Sequence, residues 1–224
     1  SSRYKLLLPD YVARQGNEAQ NPFFIETEDI PEVVNNQKDV NNLIRLFDSE
    51  YNPVFNIVAE YVFRNYNKDR IPVELSKLDK FSEPKDNEFY NDYVKCRIIM
   101  LKLVVSSANK DITSATEFLN KGFNPGNPAF SDLAEQMFAD YFDKISSGPM
   151  KNAFDNVIEA ANFPELRSLI LKDDKIRNRE LADFIAILNL NADYYNRNLP
   201  GENVRKIISG MKSQGGTDFI KNIA

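Results

Sequence analysis

The chain has 224 residues and a mass of 25.7 kDa, with 42% hydrophobic and 27% charged residues, an ordinary globular composition that can fill one sizeable core or two small ones. With His 0, Cys 1 and Trp 0, it holds no Ser-His-Asp or Cys-His nucleophile, no His-rich metal site, no two-cysteine redox motif and no internal disulfide. A net charge of −5 and a pI near 5.0 give no general attraction to nucleic acid or anionic lipid.

The chain opens at Ser1-Ser2-Arg3 without Met, and no charged stretch leads into an apolar run of signal-peptide length, so a removed targeting segment or an excised piece is expected. No window approaches the roughly 18 uninterrupted apolar residues that span a bilayer. The most apolar stretch, Ile98 to Val105, is broken by Lys102.

From Arg3 to Val34 the text is strand-like or irregular. Tyr4-Lys5-Leu6-Leu7-Leu8 runs into Pro9, Phe23-Phe24-Ile25 lies between Pro22 and the acidic group Glu26 to Asp29, and Pro9, Gly16, Pro22 and Pro31 forbid a long helix. Residues 1–36 are therefore a strand and loop segment that packs on the rest or ends a β domain, and residues 37–224 are a helical domain.

Behind Asp39 as N-cap, Val40, Leu43, Ile44, Phe47, Tyr51, Val54, Val58 and Val62 recur at three- and four-residue steps and predict a long helix. Pro53 predicts a kink or break near Ser49 to Asn52. A short helix from Pro72 carries Leu75, Leu78 and Phe81, and a second long one carries Phe89, Tyr93, Cys96, Met100 and Leu103, with Ile99 and Val104 widening its face. Asp111 predicts the cap of a helix that stops at Gly122, and Asn127-Pro128 predicts another, whose stripe runs without interruption from Phe130 to Ile145. Further stripes follow at Phe154 to Ala161, Leu166 to Ile170, Leu181 to Leu188 behind Asn178, and Val204 to Met211. Thr217 caps a last stripe of Phe219, Ile220 and Ile223 that stops at Ala224 without a C-cap, a pattern expected of a truncated helix. The predicted fold is mainly α, an irregular multi-helix bundle of about eight to ten helices in antiparallel hairpins, with a short strand-like N-terminal segment. No internal repeat is visible.

Few residues offer chemistry. Cys96 sits inside an apolar stripe and reads as a buried, inert thiol. Glu26, Glu28 and Asp29 are oxygen ligands without the spacing of a calcium loop. Asp173-Asp174-Lys175 reads as charge at the start of a short helical segment, and Gly215-Gly216-Thr217 as a helix end followed by an N-cap rather than a phosphate cradle. Tyr194-Tyr195 with Asn189, Asn191, Asn196 and Asn198 offers either a sugar-binding surface or a solvated helix end. Lys68, Arg70, Lys77, Lys80 and Lys85 alternate with Asp69, Glu74, Asp79, Glu83 and Asp86, a mixed-charge surface and not a nucleic-acid track. No residue is assigned a catalytic, cofactor-binding or metal-binding role, and no cofactor is expected.

Five stretches follow in order. They are Leu43-Ile44-Arg45-Leu46-Phe47-Asp48-Ser49-Glu50-Tyr51-Asn52; Asn87-Glu88-Phe89-Tyr90-Asn91-Asp92-Tyr93-Val94 leading to Arg97-Ile98; Asn127-Pro128-Ala129-Phe130; Ile176-Arg177-Asn178-Arg179-Glu180-Leu181; and Pro200-Gly201-Glu202-Asn203-Val204. Together they resemble the helical region upstream of the thioredoxin-like domain in a family of envelope thiol-disulfide oxidoreductases and related lipoproteins of Gram-negative anaerobes. The family's catalytic pair is Cys-x-x-Cys, which this sequence lacks, so no active-site residue carries over. The resemblance implies a non-catalytic accessory domain, in the periplasm or facing it, that positions or recognises a partner for a redox domain absent from this chain. Its expected partner is an adjoining thioredoxin-like domain or envelope protein, with no nucleic acid and no transmembrane segment. The alternative is a stand-alone helical lipoprotein domain that binds a glycan or peptide.

Overall fold

A computed structural model of the chain describes residues 6–7, 32–33, 39–64, 66, 68–105, 109–196 and 198–223. The fold is mainly α. Strand β1 (Leu6–Leu7) pairs antiparallel with β2 (Glu32–Val33), Leu6 opposite Val33 and Leu7 opposite Glu32. The strand expected at Phe23 to Ile25 lies outside the described residues.

Helix α1 (Val40–Phe63) starts where the Asp39 carboxylate accepts the Asn41 N–H at 2.9 Å. Of the kink or break expected at Pro53, no break occurs, and the helix continues through it. Pro53 and Ser49 both lie on the exposed face, so the Ser49 carbonyl that loses its amide partner is left to water, while Phe47, Tyr51, Val54 and Val58 stay anchored on the opposite face. Helix α2 (Ile71–Ser76), with Pro72 in its first turn, is flanked by 3₁₀ turns at Lys68–Arg70 and Asp79–Phe81. The helix expected to carry Leu75, Leu78 and Phe81 thus ends at Ser76, and Leu78 and Phe81 join Ile71 against the buried face of α1 from the turn that follows.

Helix α3 (Glu88–Val105) is apolar on two sides. Tyr90, Val94 and Leu101 join the α1 and α2 side chains in a smaller core, whereas Cys96, Ile99, Met100 and Leu103 face a larger one, and Tyr93 touches both. The expected stripe names only the second face. Phe89, expected inside, is 36% exposed.

Helix α4 runs from Asn109 to Lys121, so Asp111 lies in its first turn instead of capping it, and Gly122 follows its end as expected. Helix α5 (Pro128–Phe138) is capped by Asn127, whose Oδ1 accepts the Ala129 N–H at 3.2 Å. The stripe expected to reach Ile145 is interrupted at Ala139-Asp140, and α6 (Tyr141–Ser146) begins after it. Asn189, which lies on a later helix, bonds both edges of the gap. This split helps to raise the count of α-helices among the described residues to eleven, above the expected number.

Helices α7 (Lys151–Ala160) and α8 (Phe163–Ile170) form a tight hairpin through Ala161 and Asn162. Helix α9 (Arg179–Asn196) starts behind Asn178, whose Oδ1 accepts the N–H groups of Glu180 and Leu181 at 2.8 and 3.1 Å. It is buried along most of its length, with α5, α6, α8, α10 (Gly201–Gln214) and α11 (Asp218–Ile223) packed around it. Among the described residues no helix is long and apolar enough to cross a membrane.

Candidate functional site

The α5/α6 break and the loops on either side of it open a groove of about 560 Å³. Its floor is apolar: Leu103 from α3, Ile112 from α4, Met137 and Phe138 from α5, Ile145 from α6 and Met150 from the loop before α7. Gly148 and Pro149 form one wall. Thr116 from α4 and Gln136 from α5 also line it, and the other polar groups, Tyr141, Lys144, Asp173 and Lys175, gather where α6 meets the turn between α8 and α9.

These four are not equivalent. The Tyr141 hydroxyl donates to Asp173 Oδ2 at 3.3 Å, and Asp173 Oδ1 accepts the Lys175 backbone N–H at 3.0 Å. Burial first, and then the Asp173 charge and hydrogen bond, push the Tyr141 phenol upward, so it stays a protonated donor. Asp173 is thus held by its own turn and by Tyr141. Lys144 and Lys175 are exposed and carry no ion pair among the described residues. An apolar concavity of this size with a few convergent polar groups has the character of a binding site.

A second concavity, of about 550 Å³, lies between the Phe81 to Pro84 turn and α3. Asp92 lines it, its pKa raised by burial and by the Glu88 charge against an opposing pull from Lys95. Its Asn91 is already engaged, accepting from Lys85 N and donating to Lys85 O, both at 2.8 Å.

Between the two cores sits a polar cluster. The Tyr93 hydroxyl donates to the Asp48 carboxylate, 3.0 Å from each oxygen, and the Tyr51 hydroxyl donates to the Arg97 carbonyl at 3.1 Å. The Arg97 guanidinium lies 4.5 Å from the Tyr51 ring centroid and 3.8 Å from Asp132. Its buried Nε has no hydrogen-bond partner among the described residues. Burial is the largest cause that pushes both phenols up to about 12, so neither ionises near neutral pH.

The residues singled out in the sequence fall as follows. Cys96 is 0% exposed, and burial pushes its thiol upward, away from the nucleophilic thiolate. Glu26, Glu28 and Asp29 lie outside the described residues, and among those described no three His, Cys, Asp or Glu side chains gather as metal ligands would. Asp173-Asp174-Lys175 forms a turn on the groove rim, and α9 begins only at Arg179, so the expected short helical segment is absent there. The Gly216 N–H is taken by Asp183 Oδ2 at 2.9 Å, and Thr217 Oγ1 accepts the Ile220 N–H at 3.3 Å, which is the expected N-cap. Tyr195 is 76% exposed, but Asn189 is buried and Asn198 donates to Asp193 Oδ1 at 2.9 Å, so the amides expected on that surface are partly committed elsewhere. Lys77 and Lys80 pair with Glu74 and Glu50 at 2.6 and 2.9 Å, in keeping with a mixed-charge surface.

The sequence reading missed Tyr141 and Lys144 as site residues because it placed them on one continuous helix. It also missed a buried ion pair: Arg167 Nε donates to Asp183 Oδ1, Arg167 Nη2 donates to Asp183 Oδ2 at 2.7 Å, and the same Nη2 donates to the Gln214 carbonyl at 2.8 Å. Its signal was present, since each charge interrupts an apolar stripe.

No protein-family model, no curated protein and no solved structure matches the chain.

Proposed function

We propose that this chain acts by binding. It serves as the non-catalytic helical accessory domain of a thioredoxin-like envelope protein, seating a partner polypeptide while a redox domain outside this chain does the thiol chemistry. The observation that carries the binding half is the groove, an apolar floor from α3 to α6 with two exposed lysines at its rim that carry no ion pair among the described residues. The family context, and with it a periplasmic or envelope location, rests on the five ordered stretches of sequence that resemble that family. The single buried cysteine is consistent with chemistry located elsewhere.

The test is the intact mass of the native gene product, with thiol alkylation to count cysteines. The expected product is heavier by about one small domain and carries additional thiols. A native chain that ends at Ala224 with one thiol would overturn the family context. A second reading, a stand-alone glycan-binding lipoprotein domain, draws on Tyr195, exposed at the end of α9 with its ring 5.7 Å from that of Tyr194. Calorimetry against oligosaccharides separates it, since this reading requires measurable heat at millimolar sugar.

A further inference from the structure

We infer that the groove between α3 and α6 takes an apolar peptide segment with one acidic side chain, whose carboxylate sits at the rim beside Lys144 and Lys175. The inference rests on the binding reading above and names the partner chemistry of that same site.

Three features of the groove select this occupant. The first is the floor. Two of the four methionines in the chain, Met137 and Met150, line it, both half-buried. An unbranched thioether adapts to differently shaped apolar side chains, which suits a surface that receives a variable peptide rather than one rigid ligand. The second is the wall. The Gln136 amide nitrogen donates to the Met100 carbonyl at 3.4 Å, which leaves its side-chain oxygen as an acceptor for a peptide N–H at the groove edge. The third is charge. The rim carries Lys144, Lys175 and Asp173, one positive charge in excess, and Asp173 is already held by Tyr141 and by the Lys175 backbone. Two exposed ammonium groups without an ion pair among the described residues, beside an apolar floor, complement one carboxylate on an apolar segment, and they penalise a cationic one.

The experiment uses the full chain and peptides bearing an uncharged fluorophore, read by anisotropy at low salt. Leu-Phe-Glu-Leu-Val is compared with Leu-Phe-Lys-Leu-Val. The acidic peptide is expected to bind about tenfold more tightly, and the double variant K144E/K175E is expected to reverse that order. Met137→Glu is expected to weaken both peptides at least about tenfold, with circular dichroism showing the helices retained. Equal affinity for the two peptides, or an unchanged order in the double variant, would overturn the inference. So would tight binding of dodecanoate with neither peptide bound, which assigns the groove to a small amphiphile instead. The outcomes remain distinct from the mass experiment: a one-thiol native chain that still prefers the acidic peptide loses its family context and keeps its groove.

Discussion

Asn189 accepts the Phe142 N–H at 3.1 Å and donates to the carbonyls of Phe138 and Ile185, both at 2.9 Å, so one amide from α9 closes the end of α5 and the start of α6. The site is buried, and water cannot readily replace what the side chain supplies. Asn189→Ala is therefore expected to destabilise the protein by on the order of 3 kcal/mol in urea unfolding, because backbone groups at the gap lose their partners. A loss below about 0.5 kcal/mol would show that the gap repairs itself. Asp193 gives a prediction of another kind. Burial raises its pKa, the Asp143 charge adds to the rise, and the hydrogen bond from Asn198 opposes it. The folded protein thus holds this proton more tightly than the unfolded chain does. Stability supplied by the neutral acid is complete below the unfolded-state pKa and is lost as pH rises through the raised value. Asp193→Asn keeps an acceptor for Asn198 and removes the charge, so it is expected to melt higher than the parent at neutral pH, with the difference closing in acid. A melting series across pH checks this, and a variant no more stable at any pH would show that the charge costs nothing.

At the scale of elements, the α7–α8 connection turns on Ala161, which has φ 51°, a left-handed conformation that a side chain disfavours. Glycine relieves that strain at the end of a helix, so Ala161→Gly is expected to raise stability by about 0.5–1 kcal/mol, read as a higher urea midpoint at unchanged slope. Elements whose ends are set by local chemistry were legible. Asn127-Pro128 and Asn178 cap helices where the sequence places them, and Thr217 begins the last one. Three elements were not, each for a nonlocal reason. Pro53 predicts a kink or break, yet α1 runs on through it with the freed Ser49 carbonyl on the solvent face and the opposite face anchored in the core. The α5/α6 gap depends on an amide 47 residues away from Phe142. Helix α3 buries both sides, so its apolar residues form no single stripe, and a reading by periodicity finds one face and misses the other. The groove was illegible for the second of these reasons, since Tyr141 and Lys144 reach its rim only because α6 is a separate helix.

For the molecule as a whole, Cys96 is a built-in reporter. It is fully buried on α3, facing the larger core, with its thiol pushed upward by burial. Thiol labelling of the native protein at neutral pH is expected to be slow and to follow the rate or population of global opening measured in denaturant. Rapid labelling without loss of helicity would show that α3 separates from the larger core by itself. The joint position of α3 also bears on how this sequence can drift. A helix such as α10 buries Val204, Ile207 and Met211 and leaves its other side largely to solvent, where the contacts are exposed pairs such as Lys206 with Glu202. Between Tyr90 and Leu103, α3 has a narrower outlet, with Lys95 and Lys102 exposed, because its apolar residues answer to one core or the other and Tyr93 answers to both. A saturation substitution library should therefore be depleted on both apolar sides of α3, away from Lys95 and Lys102, and survivors there should arrive as compensating pairs with α1 or α5, so that the two cores diverge together rather than apart.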